Sequence, residues 1–180
     1  RRDTEDVLTL RREHGRRLGE ASELLRDVEA LAQRAFAELA STRARIVPLN
    51  VPSVEAADAD ELARRLDAIR NEDGSDWRRR GAALAGWLDD AEQHRARATR
   101  VVAACDDALA MRDELRGRLE AYRAVAHATG LAEDVAGHDV YLEARDALFH
   151  APTDLEAAAR LVAGYQHVIA PSRPAPEGEG

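Results

Sequence analysis

Lysine is absent from this chain of 180 residues, and all 26 of its basic side chains are arginine. With abundant alanine alongside, that choice reads as the codon bias of a GC-rich genome rather than as a functional signal. Cysteine occurs once, at Cys105. A single thiol excludes an internal disulfide and a thiolate zinc site, and Cys105 is expected to serve as a small buried hydrophobe. Aromatic residues make up only 4% of the chain, so alanine and leucine must do most of the packing. Small side chains bury little area each, and stability then calls for long contact surfaces rather than a bulky centre. No apolar run approaches the roughly 18–20 residues that a membrane span requires, and no signal peptide is visible. The chain opens Arg1-Arg2 without Met, so it reads as an excised region. A cytoplasmic location is expected, with any membrane anchor lying outside this stretch.

What is present is helical in character. Hydrophobic residues are 45%, charged residues 33%, and the formal net charge is −8, a composition typical of packed long helices. The acidic balance argues against a general nucleic-acid binder, which carries a net basic face.

Periodicity predicts two long helices. From Thr4 to Ile46 the residues Val7, Arg11, His14, Leu18, Ala21, Leu25 and Val28 follow steps of three and four, continuing through Ala35, Leu39 and Thr42. Leu10, Leu24, Leu31 and Phe36 widen the stripe toward a bundle. Arg11 and His14 interrupt it near the start, so that end is expected to be exposed or frayed. The second frame runs from Leu84 through Trp87, Ala91, His94, Ala98, Val101, Cys105, Ala108, Arg112, Leu115, Leu119 and Tyr122 to Ala126. A break near Asp106–Arg112 is the main alternative to one continuous rod, and Gly130 suits the C-terminal cap.

Between the frames, Val47–Ser53 with its two prolines predicts an extended connection. A short helix follows at about Ala59–Arg70, with Asp58 and Glu61 resembling a capping box. Gly74 suits a turn, and Ser75 or Asp76 starts the second long helix. A hairpin ends the fold, with helices at about His138–Phe149 and Asp154–Ile169. Thr153 and Glu156 are set as a capping box for the second of them. This pair resembles a single tetratricopeptide-type hairpin. The expected fold is therefore all-α: two long antiparallel helices in a coiled-coil-like bundle, a short connecting helix and a C-terminal helical hairpin. Its expected organisation is a long-helix bundle over 1–130, a hairpin over 131–170 and a disordered tail over 171–180.

The chain carries no recognisable catalytic or cofactor-binding pattern. The six histidines are scattered, and none pairs with another as in a zinc protease helix. His94 lies on the apolar frame and reads as a hydrogen-bonded boundary histidine. Asp89-Asp90 and Asp106-Asp107 are sequence neighbours whose side chains diverge by about 100° on a helix, so neither makes an acid–base dyad. Arg78-Arg79-Arg80 reads as a solvated face. No phosphate loop, nucleophile elbow or dinucleotide fingerprint occurs. The expectation is no catalytic residue, no metal and no cofactor.

Several C-terminal stretches carry a resemblance: Arg112–Arg123 (RDELRGRLEAYR), Gly130–Asp134 (GLAED), Ala151–Leu155 (APTDL) and Tyr165-Gln166. Together they resemble an uncharacterised helical region of actinobacterial proteins, some associated with a Ser/Thr kinase signalling locus. The resemblance covers roughly the last third of the chain and implies signalling or scaffolding without catalytic residues. That region often has Cys where this chain has Thr153, which removes any thiol role at this position.

The leading expectation is a non-enzymatic protein-interaction or scaffolding domain in bacterial signalling, with a protein partner. Candidate contact residues are Arg116, Arg118, Tyr122, Asp154 and Tyr165. One alternative is a sensory bundle holding a small molecule near His94 and Arg112, the two polar breaks in the second frame. A second alternative is an enzyme of unrecognised type. The heptads also admit pairing between chains as an antiparallel homodimer.

Overall fold

The structure, a computed structural model, describes residues 2–72, 76–131 and 135–170. Among these, five helices and two short strands occur: α1 (Arg2–Arg43), β1 (Ile46–Val47), α2 (Ala56–Asn71), α3 (Trp77–Ala128), α4 (Val135–Phe149), β2 (Thr153–Asp154) and α5 (Leu155–Ile169). The expected turn at Gly74 and the tail over 171–180 lie outside the described residues. Contacts divide the chain into two compact units, Arg1–Ala40 with Asn50–Cys105 and Ser41–Leu49 with Asp106–Gly180.

In the first unit α1 packs against α3, with α2 against both. Ala21 and Val28 of α1, Leu62 and Leu66 of α2, and Leu84, Trp87 and Ala91 of α3 form one buried cluster. Trp87 is the one large aromatic in it, fully buried, and its indole N–H donates to the Leu62 carbonyl at 2.8 Å. That bond gives a buried polar group its partner.

The direction of the long helices departs from expectation: α1 and α3 are parallel, not antiparallel. His14 meets Trp77, and fourteen to eighteen residues further on Val28 and Ala32 lie beside His94 and Ala98. The physical reason is α2. Its residues pair in reverse with α3, Arg65 with Asp90 and Asp58 with His94, and in reverse with α1, Arg70 with Ser22. A helix antiparallel to both neighbours reverses the chain twice, so α2 is the middle member of an up-down-up bundle rather than a connector.

In the second unit, Leu115, Leu119 and Ala126 of α3 bury against Tyr141, Ala144 and Leu148 of α4 and Ala158, Val162, Tyr165 and Ile169 of α5. The terminal hairpin is therefore present as α4 and α5. β1 pairs in parallel with β2, Ile46 opposite Thr153 and Val47 opposite Asp154. The Thr153 N–H donates to the Arg45 carbonyl at 2.7 Å, and Ile46 is fully buried. The Val47–Pro48 and Ala151–Pro152 peptide bonds are cis.

α3 is continuous through Asp106–Arg112. It opens on Asp76, whose carboxylate accepts the Arg79 N–H at 3.1 Å, and it closes at Gly130, where φ is +74°. That left-handed conformation is one glycine adopts without steric cost.

Both expected capping boxes are corrected. α2 begins two residues before Asp58, at Ala56. Asp58 thus lies inside the first turn, and its carboxylate faces His94 and Arg97 of α3 at 3.8 and 3.7 Å. At α5 the cap is Asp154, which accepts the Ala157 N–H at 2.9 Å. Thr153 is fully buried and held by the strand pairing instead.

Candidate functional site

The polar breaks in the apolar frames have separate fates. His14, expected at a frayed end, is buried: its ring sits 5.8 Å from Trp77, edge-on, and the Arg80 guanidinium carbon lies 4.9 Å from the centre of the same indole. Burial, and then the Arg80 charge, push the His14 pKa below its ordinary value. Among the described residues its Nε2 has no hydrogen-bond partner. His94 is half-buried beside Asp58. The cavity next to it holds about 10 Å³, room for about one water.

Arg112 and Arg116 lie one turn apart on α3 and converge on a single acceptor. Arg116 donates from Nε and Nη2 to the Leu148 carbonyl at 3.1 and 2.8 Å, and Arg112 from Nε at 3.3 Å. Leu148 is the penultimate residue of α4, so its carbonyl lacks an onward helical partner and carries the negative end of the helix dipole. Burial, followed by the neighbouring Arg116 charge, lowers the Arg112 pKa. Arg116 also stacks on Phe149, its guanidinium carbon 4.5 Å from the ring centre.

The remaining sequence candidates are dispersed. Arg118 is exposed and pairs with Glu114 one turn away. Tyr122 packs half-buried on the core of the second unit, and Tyr165 is inside that core, its ring 5.6 Å from Tyr141. Asp154 is the α5 cap. Arg112 and Arg116 are thus brought together, as are Tyr122 and Tyr165 by a shared core, while Arg118 and Asp154 stand apart from both pairs.

Sequence reasoning missed a cleft in the second unit. Arg123, His127 and Leu131 from the end of α3 and beyond, Gly137, His138 and Tyr141 from α4, and Tyr165 from α5 enclose about 180 Å³. Arg123 lies 4.8 Å over the Tyr141 ring and donates from Nη1 to its hydroxyl at 2.9 Å. That hydroxyl donates in turn to Glu120 Oε1 at 3.3 Å. Burial, and then the proximity of Tyr141, push the Tyr165 hydroxyl pKa up, so it stays protonated. Beside the cleft an open groove of about 480 Å³ shares Arg123, His138 and Tyr141 and adds Glu120, Leu142, Arg145 and Phe149.

The outer face of α4 adjoins this groove. Val135, Leu142 and Phe149 recur every seven residues and are 74%, 41% and 46% exposed. Seven-residue spacing places them along one helix face. The signal was legible in principle, since the three positions form an apolar stripe distinct from Tyr141, Ala144 and Leu148. It was obscured because both stripes lie on one short helix, and only tertiary packing decides which is covered.

Among the described residues no group of three or more His, Cys, Asp or Glu side chains is placed to hold a metal ion, and no helix is long and apolar enough to cross a membrane. No protein-family model matches the chain, and neither the curated proteins nor the solved structures offer a significantly similar relative.

Proposed function

We propose that the chain is a non-enzymatic, cytoplasmic interaction domain whose second unit docks an acidic, apolar segment of a signalling partner. The observation that carries this reading is the uncovered stripe Val135–Leu142–Phe149 beside the groove. Three such side chains in line on one helix match the way a helix or strand of a partner is gripped.

Charge selects the kind of partner. The groove presents the guanidiniums of Arg123 and Arg145, and Arg116 stacks on its Phe149, against the single carboxylate of Glu120. This is a cationic island on a chain of net charge −8. Complementary charge steers encounter and excludes basic competitors. The resemblance of the C-terminal third to a helical region linked to kinase signalling agrees with a partner of this kind.

Peptide display against the whole chain tests the reading. Selected sequences are expected to combine acidic with large apolar residues. Their binding should weaken by about tenfold or more in Leu142→Asp and in Arg145→Glu. Both side chains are exposed, so circular dichroism should show the fold intact. Selection of no sequence that depends on Leu142 and Arg145 would sink the proposal.

A further inference from the structure

The narrow cleft beside the groove has a chemistry of its own. We infer that it binds a phosphate-monoester dianion. The inference goes beyond the docking reading and stands without it, because the cleft is built wholly from side chains of the second unit.

Four donor side chains meet there from three helices: the Arg123 guanidinium, the imidazoles of His127 and His138, and the Tyr165 hydroxyl. Among the described residues neither imidazole has a hydrogen-bond or ion partner. Arg123 directs Nη1 to Tyr141, yet a guanidinium carries five N–H donors. Stacking on Tyr141 holds its plane in place, so little side-chain entropy remains to be lost on binding. Glu120 accepts the Tyr141 hydroxyl proton and lines the open groove rather than the cleft. Its other oxygen lies 4.0 Å from Arg123 Nη1, so Glu120 braces Arg123 directly as well as through Tyr141.

The shape favours a tetrahedral oxyanion over a carboxylate. A planar carboxylate is satisfied by one guanidinium edge, as in a bidentate pair. Here donors arrive from α3, α4 and α5 into about 180 Å³, which suits three acceptor oxygens pointing in different directions. A monoester carries a charge of about −1.5 to −2 near neutrality, met by one permanent cation and by the ring N–H donors of two imidazoles. The ester's carbon side would lie against Leu131 and the rim of the cleft.

Phenyl phosphate is the probe, with benzoate as the planar control, and the imidazole resonances of His127 and His138 are the readout. Saturable shifts are expected with phenyl phosphate, and binding at least about tenfold weaker with benzoate. Arg123→Met should weaken binding by about tenfold or more, and His127→Ala with His138→Ala by a similar factor. Both histidines are exposed, so their variants decide the matter if Arg123→Met fails to fold. No saturable shift at about 50 mM phenyl phosphate, which is weaker than about −2 kcal/mol of binding, overturns the inference. Equal binding of benzoate, or undiminished binding in the Arg123 and histidine variants, does the same.

Two further arms separate the source of the ester and the two proposals. A phosphorylated acidic peptide that binds more tightly than phenyl phosphate assigns the cleft to a docked side chain; equal affinities assign it to a small ester. Leu142→Asp should leave phenyl phosphate binding intact. Intact ester binding with no selectable peptide therefore removes the docking reading alone, and the converse removes this inference alone.

Discussion

Arg116 of α3 places two guanidinium N–H groups on the carbonyl of Leu148, at 3.1 and 2.8 Å, and so closes the C-terminal end of α4. Arg112 adds a third donor to the same oxygen. Two like charges this close repel, and the negative end of the α4 dipole offsets that cost. The first prediction follows from the asymmetry. Arg116→Met should lower the stability of the second unit by about 2 kcal/mol, and Arg112→Met by about 1 kcal/mol, as expected for hydrogen bonds from charged donors. Denaturant melts of the two variants check the order. An equal or reversed order would contradict the assignment of Arg116 as the principal cap.

Trp87 supplies the largest side chain in the core of the first unit and one specific bond, from its indole nitrogen to Leu62. Trp87→Phe removes the bond and opens a void that alanine and leucine neighbours fill only partly. A loss of about 2–3 kcal/mol is expected. Leu88→Phe, on the half-buried flank, should cost far less. Thermal unfolding of both variants by circular dichroism gives the comparison.

The buried His14 makes the first unit sensitive to pH. Its folded pKa lies below the ordinary value of 6.5, through burial and then Arg80. As pH falls the unfolded chain therefore takes up the proton first. His14 contributes its full stability above about pH 6.5 and loses it progressively as pH falls below that value. Glu13, held at about 2 by hydrogen bonds from Arg16 and then Arg17, titrates far below this window. The thermal midpoint should drop between pH 8 and pH 5, and His14→Leu should narrow that drop. An unchanged pH profile in the variant would remove His14 as its source.

Two glycines should respond to alanine in opposite directions. Gly86 lies on the exposed side of α3, and a Cβ there meets nothing within 4 Å. Gly86→Ala should stabilise by about 0.5–1 kcal/mol. Gly130 closes the same helix with φ +74°, where a Cβ is strained although space is open, and Gly130→Ala should destabilise by about 1 kcal/mol. Paired melts of the two variants test local backbone conformation without touching any side-chain contact.

The sequence by itself determined the elements and much of their buried faces. In the second frame Leu84, Trp87, Ala91, Ala98, Val101, Cys105, Ala108, Leu115, Leu119 and Ala126 are all buried. The spacing of apolar residues along a helix follows from its local geometry, and no knowledge of the neighbour is needed. Tertiary structure alone decided direction and partnership. Whether α1 and α3 run parallel depends on whether Leu62 and Leu66 of the short α2 pack inside the bundle, and a short amphipathic helix reads the same as a connector or as a third member. The cleft follows the same logic. Arg123, His127, His138 and Tyr165 come from three helices with up to 42 positions between them in the chain, and no local pattern records a meeting that only packing brings about. The same holds for Leu148, whose carbonyl acquires its arginines from α3 because the end of a helix needs donors and packing alone decides which ones arrive.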